Sequence, residues 1–216
     1  MNTFRGIEEG LTRLLQLLED ENVHATFFTT GDVVGRFPAS VEKIVSSGHE
    51  LGCHGVSHRD FTGMDRSTAE WEIQESSQAL RKFAPVVSFR APYLKFPDEY
   101  LGLLEAADFR IDSSQAKYKI PYYLHSRDTG LKRIPVSATS SVLRLPQWIR
   151  GPYLSALASP VVLFVHPWEF VDLRREKLRL DCRFKTGDEA LNCLGSVIRK
   201  FKEKDAVFYR MRDLLN

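Results

Sequence analysis

Cysteine is scarce: only Cys53, Cys182 and Cys193 occur in 216 residues. Three thiols cannot all pair within one chain, and no Cys-x-x-Cys spacing is present, so neither a disulfide framework nor a cysteine-built zinc site is indicated. A reducing compartment fits this usage. Long apolar runs are also missing, since no stretch approaches the ~18 residues of a membrane span. The opening Met1-Asn2-Thr3-Phe4-Arg5-Gly6 passes into a charged amphipathic pattern without the apolar centre of a signal peptide. A soluble, cytoplasmic protein with no membrane partner is expected. Charge of one sign is lacking too: 30 Lys+Arg against 28 Asp+Glu leave a formal +2, too little and too scattered to attract nucleic acid. No repeat, low-complexity tract or Pro/Gly linker divides the chain, so a single domain over residues 1–216 is expected.

With 43% hydrophobic residues the chain can enclose one sizeable core, and it falls slightly short of the ~250 residues of a complete (β/α)8 barrel. Ile7, Leu11, Leu14, Leu15 and Leu18 recur at helical spacing, which predicts an opening amphipathic helix that no strand precedes. Strand and helix then alternate. Strands are predicted over 25–30, 50–53, 86–89, 109–112, 133–136, 161–165 and 206–209. Helices are predicted over 40–45, over 67–83 from a capping box at Ser67-Thr68-Ala69-Glu70, over 98–107, and from Thr186-Gly187-Asp188-Glu189 to about Lys202. The run Val161-Val162-Leu163-Phe164-Val165 reads as a strand buried on both faces, which argues for a parallel α/β fold, either a barrel or a doubly wound sheet. Two irregular stretches, 114–132 and 167–185, are long enough to act as lids or binding loops.

In parallel α/β folds the ligand site lies beyond the carboxyl ends of the strands. Asp32, His54 and His58, Arg90-Ala91-Pro92-Tyr93, Asp112-Ser113-Ser114 and His166-Pro167-Trp168-Glu169 all follow or close predicted strands, so they would gather at one mouth. His54 and His58, four apart after a strand, are spaced so that two imidazoles can close on one metal ion. Each position also has an ordinary reading. Arg90 would be an ion-pair partner of Asp112, His166 a strand-end cap, Asp32 the N-cap of a short turn at 33–36, and Trp168 and Glu169 packing and surface. Cys53 alternates away from His54 and reads as a small buried hydrophobe.

Five of these segments resemble, in order and spacing, the motifs of one family, the polysaccharide deacetylases of carbohydrate esterase family 4. Ala25-Thr26-Phe27-Phe28 resembles its second barrel strand, and the stretch from Gly48 to His58 its His-x-x-x-His metal motif. Arg90-Ala91-Pro92-Tyr93 is similar to its Arg-x-Pro-Tyr motif, Asp112-Ser113-Ser114 to its fourth motif without the usual tryptophan, and Leu163-Phe164-Val165-His166 to its Leu-x-x-His motif. The continuation His166-Pro167-Trp168-Glu169 resembles a subgroup acting on less well defined substrates. The resemblance implies a distorted, TIM-like (β/α)7-8 barrel. One motif has no match. The family carries two acidic residues at the end of its first strand, one a metal ligand and the other the general base. Arg5 and Gly6 stand at that place, and Glu8 and Glu9 belong to the amphipathic helix. A barrel lacking its first strand, N-terminally incomplete, is therefore expected.

The resemblance further implies that His54 and His58 hold a divalent metal, zinc by ligand type, with the third protein ligand missing from this chain. His166 would be the general acid, with Asp112 raising its basicity and Arg90 orienting the base. A backbone N–H near Tyr93, flanked by Pro92, would hold the oxyanion, with Trp168 on the substrate side. The implied reaction is hydrolysis of a C–N bond outside peptides: N-deacetylation of an acetylated sugar or polysaccharide, impaired here by the missing acids. Two alternatives stand beside it, a non-catalytic glycan- or partner-binding descendant and a hydrolase of a cyclic imide or ureide. The expected partner is a small-molecule or oligosaccharide substrate, together with a second copy of the chain if a missing strand leaves a sheet edge unpaired.

Overall fold

The computed structural model describes residues 4–119 and 129–215. Residues 120–128, part of the expected irregular stretch 114–132, lie outside the described residues. Two compact units emerge from the contacts, one drawn from Met1–Val23 and Ser137–Phe208, the other from His24–Val136 and Tyr209–Asn216. No helix of the described residues is long and apolar enough to cross a membrane.

The second unit carries a five-stranded parallel sheet in sequence order: β1 (Thr26–Thr29), β2 (Glu50–Cys53), β3 (Ser88–Phe89), β4 (Ile111–Asp112) and β5 (Lys132–Arg133). The crossovers contain α1 (Gly31–Arg36), α2 (Pro38–Ser46), α3 (Arg66–Arg81) and α4 (Leu101–Ala106). All four residues of β2 are buried, as a strand covered on both faces requires. Gly52 has no room for a side chain, because an added Cβ would lie 2.6 Å from the Phe28 ring and 2.9 Å from Ser88 Oγ. Leu51, Ile73, Leu80, Phe89, Leu104 and Ile111 form its core. Glu50, buried at the start of β2, accepts from Thr26 Oγ1 at 2.7 Å, Ser88 Oγ at 2.8 Å and the Arg212 amide at 2.9 Å. That carboxylate ties the C-terminal turn to the strands.

Several expected boundaries move, each for a local reason. α3 begins one residue before Ser67, because Asp65 Oδ1 takes both the Thr68 amide (2.7 Å) and the Ser67 hydroxyl (2.8 Å), so the predicted capping serine is itself a donor to the real cap. Thr30, not Asp32, caps α1 through Val33 N. The helix expected over 98–107 opens as a 3-10 turn, Asp98–Tyr100, before α4. No strand forms at 206–209, where Val207 is 70% exposed.

The first unit is helical. A single π-helical turn, Gly6–Gly10, runs into α5 (Leu11–Asp20), whose Leu11, Leu14, Leu15 and Leu18 are buried as their spacing predicts. α6 (Ser140–Leu143), α7 (Gln147–Ser155), α8 (Leu180–Arg183) and α9 (Asp188–Lys202) complete it. Glu21 at the end of α5 meets Arg199 and Lys202 of α9. The run 161–165 is not a strand buried on both faces. It makes one isolated parallel bridge, Leu163 with Ala138, and only Val162 of the five is buried. The Val162 amide donates to the Ser137 hydroxyl at 3.0 Å, so a side chain occupies the place of a ladder carbonyl and the pairing does not propagate.

The π turn fits against the segment after His166 only because it is edged by glycines. A Cβ on Gly6 would stand 3.1 Å from Trp168 Cβ, and one on Gly10 only 2.0 Å from the Pro167 carbonyl oxygen. Backbone cannot yield as a flexible side chain does, so Gly10→Ala is expected to destabilise the protein by roughly 3 kcal/mol or more in urea denaturation. An unchanged midpoint would contradict this packing.

Candidate active site

After β2 the chain turns sharply through His54-Gly55-Val56-Ser57-His58. Gly55 (φ 73°) and His58 (φ 56°) are both left-handed, and for a non-glycine residue that conformation costs on the order of 1 kcal/mol. Glu72, fully buried on α3, holds the turn. Its Oε2 accepts the amides of Val56 (2.6 Å) and Ser57 (3.1 Å), and its Oε1 accepts the Ser57 hydroxyl. The His54 and His58 rings consequently face each other edge to face with centroids 5.0 Å apart. His54 Nδ1 lies 2.5 Å from the Arg90 carbonyl oxygen. A carbonyl only accepts, so Nδ1 carries the proton and the lone pair of the neutral ring is on Nε2, the arrangement found in metal-ligating histidines.

Arg90 is buried, and its guanidinium lies over the Phe28 ring at 4.2 Å. It donates to the Ser113 carbonyl (3.2 Å) and hydroxyl (2.8 Å). Burial pushes its pKa down to about 10, against the attraction of Asp112. The ion pair at Asp112 is made by Arg133, at 3.1 Å, and Asp112 also accepts the Ser114 amide at 3.0 Å. Burial raises the Asp112 pKa, and these partners partly offset that rise. Ser114 Oγ in turn takes the Ala91 amide at 2.8 Å. Thus the segment after β4 braces the one after β3.

Pro92 is buried, whereas Tyr93 is 56% exposed, with its ring 5.1 Å from that of His58. Tyr93 (φ 60°) and Leu94 (φ 52°) are consecutive left-handed residues, and Lys119 Nζ takes both their carbonyls, at 2.7 and 3.2 Å. His58, Arg59, Asp60, Tyr93 and Lys95 line a surface depression. The sheet unit therefore brings His54, His58, Arg90, Pro92 and Tyr93 together, with Asp112 behind them. Among the described residues no group of three His, Cys, Asp or Glu gathers to hold a metal ion.

His166 belongs to the other unit. Its ring is flanked by Phe164 edge-on (5.3 Å, 83°) and by Trp168 stacked (5.3 Å, 21°). Its Nδ1 partner is Glu169 Oε1 at 2.9 Å, and Glu169 is buried, which corrects the reading of it as a surface residue. Glu72 was not foreseen at all. The available signal was its place on the buried stripe of α3 with Ala69, Ile73, Ser76 and Leu80, where an acid must have an internal partner.

Cys53 is fully buried, as read from its alternation with His54, and burial pushes its thiol up to about 11. Because the folded-state value is raised, the thiol stays protonated through neutral pH. Alkylation at pH 8 is expected to reach the half-buried Cys182 and Cys193 and to modify Cys53 only in denaturant. For Glu72→Ala, native-state hydrogen exchange should show protection lost at Val56 and Ser57, with stability reduced by about 2–3 kcal/mol. Unchanged exchange there would remove Glu72 from its role.

A family model described as polysaccharide deacetylase matches residues 3–111, half of the chain, including His54, His58, Arg90 and Tyr93. The peptidoglycan deacetylase of Helicobacter pylori is 28% identical over 170 residues, which cover 77% of this chain and 55% of that protein. The solved Bc1960 peptidoglycan N-acetylglucosamine deacetylase matches at TM-score 0.68 with 19% identity, over 95% of this chain and 81% of its own. A carbohydrate esterase family 4 pseudoenzyme from Bacillus anthracis matches at TM-score 0.70 with 17% identity, over 97% and 62%. The chain spans about half the length of the curated relatives it matches. The structural likeness identifies the α/β fold class of that family, as its motifs implied. On the matched half, with both histidines in it, the chain belongs to the polysaccharide deacetylase family.

Proposed function

We propose that this chain supplies metal-binding and proton-transfer residues for the N-deacetylation of an acetylated sugar polymer. The observation that carries the reading is the His54 Nδ1 bond to the Arg90 carbonyl beside the His58 ring, which presents Nε2 as the ligand atom. His54 and His58 would hold a divalent cation, zinc by their chemistry, and such an ion polarises an acyl carbonyl and acidifies bound water.

The remaining roles fall to side chains and backbone. Lys119 sets the peptide planes at Tyr93 and Leu94 before substrate arrives, so a backbone N–H near Tyr93 can meet the charge developing on the acyl oxygen without reorganising. The exposed Tyr93 ring offers an apolar face to a sugar. Arg90 and Asp112 act through Ser113 and Ser114 to hold the turn that carries Pro92 and Tyr93. His166 protonates the departing amine nitrogen, a poor leaving group until it is protonated, and Trp168 stacks against that imidazole. Turnover is expected to be slow, since among the described residues no third His, Cys, Asp or Glu gathers with the two histidines.

Titration calorimetry with zinc is expected to give one site whose affinity drops by roughly 100-fold in His54→Ala or His58→Ala. Acetate release from an N-acetylglucosamine oligomer should vanish with chelator and return with zinc. Zinc bound through both histidines without acetate release from any N-acetyl glycan would favour the binding descendant. Turnover of cyclic imides alone would favour the other hydrolase.

A further inference from the structure

His166, Glu169 and Arg144 form a chain of polar side chains within the helical unit. The side chains of Glu169 and Arg144 are 2% and 3% exposed, while that of His166 is 42% exposed. Removing a carboxylate from water is costly unless its oxygens find donors. Glu169 Oε1 accepts twice from one residue, the His166 amide at 2.8 Å and the His166 ring Nδ1 at 2.9 Å, and Oε2 faces Arg144 Nε at 3.4 Å. Arg144 also donates to the Phe184 carbonyl at 2.5 Å.

The order of residues explains the geometry. Pro167 starts a single 3-10 turn, Pro167–Phe170, closed by the Glu169 amide on the His166 carbonyl at 3.0 Å. That turn returns the residue three places on to the histidine, and Trp168 between them stacks on the ring. Phe164 meets the imidazole edge to face. A carboxylate only accepts, so the neutral ring must carry its proton on Nδ1 and its lone pair on Nε2.

We propose that Glu169, backed by Arg144, is a positioning residue that fixes His166 as the Nδ1–H tautomer and makes Nε2 its proton-transfer atom. This rests on the acid role proposed for His166 above. The proton on Nε2 of the imidazolium passes to the amine nitrogen as the C–N bond breaks, and the electron pair of that bond stays with nitrogen. The ring is left as the Nδ1–H form, the form that Glu169 stabilises.

The tautomer is directly readable from two-bond proton–nitrogen correlation spectra of protein carrying ¹⁵N-histidine, taken at alkaline pH. The Nδ1–H form is expected for His166 in the unaltered protein and in Glu169→Gln, whose amide oxygen still accepts. It should be lost in the double variant Arg144→Met, Glu169→Met, which removes both buried charges together and so leaves neither charge without its counterpart. The double variant should also lower kcat by about 10- to 100-fold with KM changed by less than about threefold. An Nε2–H tautomer in the unaltered protein, or an Nδ1–H tautomer and full kcat in the double variant, overturns the assignment. A tautomer that follows Glu169 in protein releasing no acetate supports the assignment and counts against the deacetylase reading alone.

Discussion

Glu72 is buried because the turn after β2 would otherwise leave two backbone N–H groups and a hydroxyl without acceptors. One carboxylate from α3 satisfies Val56 and Ser57 and so makes a left-handed His58 tolerable. The two imidazoles depend on it for their mutual distance. A parallel sheet ends each strand in a loop with no ladder of its own, and side chains from neighbouring segments must stand in for the missing backbone partners. Ser113 and Ser114 serve Arg90 and Ala91 in this way, and Lys119 serves Tyr93 and Leu94.

Three non-glycine residues in the left-handed region, His58, Tyr93 and Leu94, fall within these braced loops. Each costs on the order of 1 kcal/mol, so they persist only where the surroundings over-determine them. Here the surroundings are a buried acid, a pair of serines and a lysine, and the product is the edge-to-face contact between His58 and Tyr93 at the surface. In these two loops the strain and its bracing coincide with strand ends, whereas Asn22, Asp108, Lys185 and Asp205 are left-handed elsewhere in the chain.

Much of this was legible in the sequence where one residue decides one thing. Alternation placed Cys53 in the core, helical spacing placed four leucines of α5 inside, and the strand before His54 fixed where the histidine pair begins. The failures share a cause, because each depends on a partner distant in the chain or on a backbone turn that periodicity does not encode. Ser67 looked like a cap until Asp65 took its hydroxyl. Val161 to Val165 looked like a buried strand until Ser137 replaced a ladder acceptor. Glu72 and Glu169 are acids in buried positions, which an apolar pattern discounts even though burial is what makes such acids informative.

The two candidate imidazoles differ in what holds Nδ1. His54 has a backbone carbonyl there, a neutral acceptor that fixes the tautomer and leaves the lone pair on Nε2. His166 has a carboxylate there, an acceptor that likewise places the proton of the neutral ring on Nδ1. In both rings the Nδ1 partner leaves Nε2 as the free ring nitrogen, so a neighbour rather than the histidine's own position in the sequence decides which atom is open to chemistry.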